Sequence, residues 1–156
     1  MGFNLSTCRK ALIGLRLPKI VLSIYDGHEI PSELKYSCEQ PYYVFTEPDF
    51  LPDRGPIIPL WEAGIRITAY QNGQFIRFNL EDPGDDVYVF GTNFRSVVAD
   101  LLISQYEDEV PTERLRELAM LFEFDRIDEL ILGCESTEQS GEKRVRWWKE
   151  FVASCS

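Results

Sequence analysis

Histidine is nearly missing from this sequence: His28 is the only one in 156 residues. Any Ser-His or Cys-His engine would have to use it. Neither a G-x-S-x-G elbow nor a papain-like cysteine context accompanies it. In "YDGHEIP" the residue reads as decoration on a turn. Phosphate-cradling glycine loops are missing as well. No G-x-x-x-x-G-K-[ST] or G-x-G-x-x-G occurs, and the glycines of "QNGQ" and "DPGD" sit where the chain must turn. Bases are scarce: 16 Lys and Arg stand against 26 Asp and Glu, a net charge of −10. Such a chain repels phosphate backbones and anionic headgroups, so neither nucleic acid nor a membrane surface is an expected partner. The four cysteines, at positions 8, 38, 134 and 155, form no C-x-x-C pair and have no histidine at zinc spacing. They read as reduced, buried thiols of a cytoplasmic protein, with no metal or cofactor expected. Apolar runs fall far short of the ~18–20 residues of a membrane helix. Arg9, Lys10, Arg16 and Lys19 break up the N-terminal region, which lacks the apolar stretch of a secretory signal. "MGFNLSTCRK" matches M-G-x-x-x-[ST], but the bulky Phe3 fits a myristoylation site poorly, and Ser6 reads instead as a helix cap.

What is present is enough for a core. Hydrophobic residues make up 44% and aromatics 13% of the chain. A chain this long buries roughly 68–70% of its unfolded surface, and the expectation is one domain, residues 1–156.

The apolar pattern divides the chain. Ala11, Leu12 and Leu15 fit a first helix. "LPKIVLSIYDG" fits either a helix running from Pro18 to Gly27 or a buried strand. From Pro41 to Gly91 the signature is strands and turns. "YYVF" is strand-like, and "IIPLWEAG" carries Pro59, which suits an edge or a strand start. "IRITAYQNGQFIRFNL" alternates on both sides of Asn72-Gly73, the turn of a tight hairpin. Ile65, Ile67 and Ala69 form one apolar face, matched by Ile76, Phe78 and Leu80. "VYVFG" adds another strand. Helices follow: Thr92 or Asn93 caps a face of Phe94, Val97, Val98, Leu101 and Leu102, and Leu115, Leu118, Ala119 and Phe122 form a second. Asp125 reads as the cap and Gly133 as the stop of a third. A last helix follows, with Trp148 and Val152 on one face. The fold class is therefore α+β: a central antiparallel meander sheet flanked by helices.

Two clusters invite chemistry. The turn "EDPGDD" does not follow the alternating oxygens of an EF-hand loop, and adjacent acids on a turn tip lack the cleft that paired catalytic carboxylates need. Trp147 and Trp148 among Lys143, Arg144, Arg146 and Lys149 resemble a nucleic-acid patch in composition. In so acidic a chain they read as a helix docked by a tryptophan, with the bases solvated.

The order of "IIPLWEAG", "GIRITAYQ", "QFIRFNL" and "DVYVFGTNFRSVVADLL", from about Ile57 to Leu102, resembles the SUKH superfamily. Phe94, Val98 and Leu101 stand at its helix positions. The match covers about a third of the chain and consists mostly of packing positions; the family's N-terminal entry is echoed only in part by "LPKIVLSIYDG". The resemblance implies an α+β protein-binding domain with no shared catalytic residues. It further implies an immunity protein that neutralises a nuclease or deaminase toxin, or else a regulatory scaffold. A basic toxin domain suits a chain of this charge. On that expectation Glu62, Glu81, Asp82, Asp85 and Asp86 supply charge, Trp61, Tyr70 and Tyr88 supply aromatic anchors, and the protein is a monomer or weak dimer. A small enzyme using His28 and a carboxylate is the reading from another class.

Overall fold

A computed structural model describes residues 4–46, 56–81, 87–137 and 141–156. The chain divides into two compact units, residues 1–92 and 93–156. The architecture is α+β, as the alternation and the later helical periods require.

The first unit opens with α1, Leu5–Gly14. Its cap is Asn4 rather than Ser6. Asn4 has the extended backbone a cap needs, and its side chain accepts from the Thr7 amide at 2.9 Å. The ambiguous apolar segment is helical: α2 spans Lys19–Tyr25 and buries Ile20, Val21, Ile24 and Tyr25, a helical spacing. It starts after Pro18 and stops before Gly27, whose φ of +72° suits a residue without a side chain. Gln40 closes over that glycine and donates to the Tyr25 carbonyl at 3.1 Å.

The sheet is a meander in the order β1-β2-β3-β4, antiparallel throughout. β1 is Ile57–Ala63, β2 Arg66–Gln71, β3 Gln74–Asn79 and β4 Tyr88–Gly91. Asn72 and Gly73 take φ of 52° and 80°, the left-handed pair of a two-residue hairpin turn. Pro59 lies on an edge strand beside a bulge, where its missing N–H costs no ladder bond. Ile65 falls in the turn before β2 and is exposed, so the apolar face of β2 starts at Ile67. One cluster joins Ile57, Ile67, Ala69, Ile76, Phe78 and Leu80 to Val44. Helices α1 and α2 pack against β1.

"YYVF" is not a strand. Tyr43–Thr46 forms a single helical turn, α3. The cause lies about twenty residues away on β1, in the carboxylate of Glu62, described below.

The second unit is helical: α4 Phe94–Glu107, α5 Thr112–Leu121, α6 Ile127–Ser136 and α7 Glu142–Ser154. The other three helices pack on α4. Asn93 caps α4, accepting from the Arg95 amide at 3.0 Å. Asp125 is not the cap of α6. That position belongs to Arg126, while Asp125 pairs with Arg95. Nor does Gly133 stop α6, which continues for three more residues. A Cβ on Gly133 would lie 2.2 Å from the Trp147 ring, so the glycine makes room for an aromatic side chain. Trp148 docks α7 as expected, donating from Nε1 to Asp100 at 2.8 Å. Among the described residues, no helix is long and apolar enough to cross a membrane.

Candidate protein-interaction surface

The expected charge of Glu62 is turned inward. The residue is 2% exposed. Its Oε1 accepts from the amides of Tyr42 and Tyr43 at 2.9 and 3.0 Å, and Oε2 from Val44 at 2.8 Å. Three amides converge on this one side chain, and hydrogen bonds to a carboxylate are stronger than those to neutral acceptors. They fix the start of α3 and override the strand preference of "YYVF". The bulge explains how an acid comes to face inward. Pro59 pairs with Ala69 but Trp61 with Thr68, so the extra residue swaps the faces beyond it. Glu62 then stands opposite Ile67, on the face of the apolar cluster. The backbone of Glu62 also exchanges two bonds with Glu39, which covers part of the outer side of β1.

The other expected anchors are scattered. Trp61 is buried, so neither it nor Glu62 offers a surface to a partner. Tyr70 is half-buried near the hairpin tip, its ring edge-on to Phe75 at 5.0 Å. Tyr88 is half-buried on β4 against Phe90 at 4.8 Å, and the Arg77 guanidinium lies over both rings at 5.4 and 5.3 Å. Glu81 is exposed beyond the far end of β3, its amide held by Asn79 at 2.9 Å. Phe75 stands opposite Tyr70, so Tyr70 and Glu81 are separated by on the order of 20 Å of strand. Asp82, Asp85 and Asp86 lie outside the described residues.

What sequence reasoning missed is a group of exposed tyrosines. Tyr36, Tyr42 and Tyr43 are 77%, 63% and 52% exposed. Tyr42 and Tyr43 meet edge-to-face at 5.3 Å, and their backbone amides are the ones held by Glu62. Tyrosine offers broad amphipathic contact area with little rotamer entropy to lose, which suits protein recognition. Here the backbone beneath the pair is already fixed. The signal in the sequence was "YSCEQPYY", three tyrosines in eight residues, the last two directly after a proline.

Acids outnumber bases in both units. Residues 1–92 carry twelve acids and eight bases, while residues 93–156 carry fourteen and eight. In the second unit Arg95, Arg114, Arg116, Arg126 and Arg144 each pair with a carboxylate. Arg144 was expected in solvent, yet it is 5% exposed. It donates to the Cys134 carbonyl at 3.0 Å and to Thr137 Oγ1 at 2.7 Å, and its charge lies over the rings of Tyr106 and Trp147.

The reactive side chains are quiet. All four cysteines are buried and unbridged. Burial pushes every thiol up, Cys134 to about 11, so at neutral pH they are protonated and poor nucleophiles. His28 is exposed, and its amide donates to the Ser23 carbonyl. The nearby Asp26 is gripped through both oxygens by Arg9 at 2.9 Å, which holds its carboxyl below the usual range. Among the described residues no group of three or more His, Cys, Asp or Glu is placed to hold a metal ion. Compared with known proteins, the chain matches no family model, no curated protein and no solved structure.

Proposed function

We propose that the protein works by binding another protein, a basic one, and that the bound state neutralises a toxin by covering its active-site groove. The observation that carries this reading is the exposed Tyr42–Tyr43 pair anchored on a buried carboxylate in a chain of net charge −10. Aromatic residues on a fixed backbone supply the anchors of a protein interface. The negative field supplies steering toward a basic surface, raising the association rate more than the final affinity. A nuclease groove is basic because it holds phosphates, so an acidic protein fits over it. The order of features from Ile57 to Leu102 supports the same reading through its resemblance to the SUKH superfamily.

The test is affinity capture from the source cell, with wild type beside two variants. One carries Tyr42→Ala and Tyr43→Ala. The other changes Glu81, Asp82, Asp85 and Asp86 to lysine. The expected result is a single basic protein held by wild type and lost by at least the tyrosine variant. Once purified, that protein should show nuclease or deaminase activity that wild type abolishes at one equivalent. Several partners weakened together by charge reversal would point to a scaffold instead. No partner for folded wild type would overturn the proposal and bring His28→Ala activity screens forward.

A further inference from the structure

A cleft of about 800 Å³ opens between α1 and the hairpin end of the sheet, wholly within the first unit. That volume lies within the range of small-molecule sites, roughly 300–1,000 Å³. Its walls are mostly apolar. Ala11 faces it from α1 and Ile57 and Ile58 from β1, while Tyr70 closes the hairpin end. Cys8 lies on the floor, buried, with its thiol donating to the Ile57 carbonyl at 3.7 Å.

Among the described residues, Lys10 is the one charged side chain lining the cleft. The contrast with its neighbour is informative. Arg9 is neutralised by two bonds to Asp26, whereas Lys10 has no acidic partner among the described residues. A lone lysine beside apolar walls favours a ligand with one negative charge and an apolar body. A dianion such as a phosphate monoester would find no second cation among the described lining residues, and a neutral ligand would leave the ammonium unused. The protonated Cys8 thiol is already donating to a backbone carbonyl, so the ligand is held without a covalent bond.

We propose that this cleft binds a small amphipathic monocarboxylate, with its chain against Ala11, Ile57 and Ile58 and its carboxylate on Lys10. The proposal is independent of the protein-binding reading.

The probes are decanoate and 1-decanol, below their aggregation limits, titrated into the full chain by calorimetry and by amide NMR. Decanoate should bind at one saturable site, with shifts centred on Lys10, Ile57, Ile58 and Tyr70. Decanol should bind about tenfold more weakly, the loss expected for one charge-assisted contact. Lys10→Gln, an exposed substitution that leaves the fold intact, should erase the difference between the two probes. Ala11→Phe, which fills the cleft from an exposed helix position, should abolish both. Unsaturable binding, shifts spread over the surface, or equal preference in wild type and Lys10→Gln would overturn the proposal. So would undiminished binding to a folded Ala11→Phe.

Discussion

Among the described residues each unit of this protein buries one ionic side chain, and the two are mirror images in electrostatic terms. In residues 1–92 Glu62 gathers three amides at the start of α3. In residues 93–156 Arg144 donates to the carbonyl of Cys134 and the hydroxyl of Thr137 at the end of α6. A helix leaves amides unpaired at its start and carbonyls unpaired at its end. An acid therefore suits the first and a base the second. The difference lies in dependence. α3 is four residues long and cannot sustain itself, since a first helical turn is costly to nucleate. α6, with ten residues and a buried face of Leu130, Ile131 and Cys134, has packing of its own. The acid creates its helix, while the base finishes one.

That comparison can be broken by substitution. Glu62→Ala should have the largest effect, a loss of about 3–5 kcal/mol, at roughly 1–3 kcal/mol for each buried donor left unpaired. It leaves three amides without their partner, and the unfolding midpoint in urea would report it. Glu62→Gln, which keeps an oxygen in place, should lose less. If Glu62→Ala were neutral, water or another group would be satisfying α3. Arg144→Met should cost about 2–3 kcal/mol, because a buried carbonyl loses its donor while the side-chain volume is largely kept. Here α6 should persist, so far-UV circular dichroism should change little even as the midpoint falls. Gly133→Ala should destabilise by about 1–3 kcal/mol, since the methyl meets the Trp147 ring and only part is recovered from alanine's helix preference. A stabilised Gly133→Ala would mean that Trp147 swings aside without cost. The smallest effect should come from Ser96, whose buried hydroxyl has no hydrogen-bond partner among the described residues. Ser96→Ala should stabilise by up to about 1 kcal/mol in thermal unfolding.

The parts of the fold legible in the sequence were those whose cause is local. Asn72-Gly73 fixes its hairpin through its own left-handed backbone. The faces of α4 and α5 follow from apolar spacing that packing then satisfies. Where the cause is remote, the reading failed. "YYVF" carries strand-forming residues, but a carboxylate about twenty positions on decides its conformation. Gly133 looks like a stop until Trp147 occupies the space above it. Glu62, followed by Ala63 and Gly64, resembled an exposed turn acid. A one-residue bulge at the preceding proline changes which face it meets, and nothing in the alternation of "IIPLWEA" announces that bulge.

The candidate site was less legible for the same reason. Strand alternation tells the faces apart without saying which residues an inserted one will turn inward, so Trp61 and Glu62 were counted on the surface and are buried. Tyr36, Tyr42 and Tyr43 have the composition of core residues, and only the geometry shows them exposed. Lys10 and Arg9 are adjacent bases in the sequence. Asp26, on the following helix cap, separates their roles by neutralising one of them.

The most direct test is hydrogen exchange at the Tyr42, Tyr43 and Val44 amides, followed by NMR in wild type and Glu62→Gln. If a buried carboxylate holds the tyrosine pair in place, all three amides are protected in wild type and exchange markedly faster in the variant, while β2 and β3 amides keep their protection. Exchange at unprotected rates in wild type, or unchanged protection in Glu62→Gln, would contradict it.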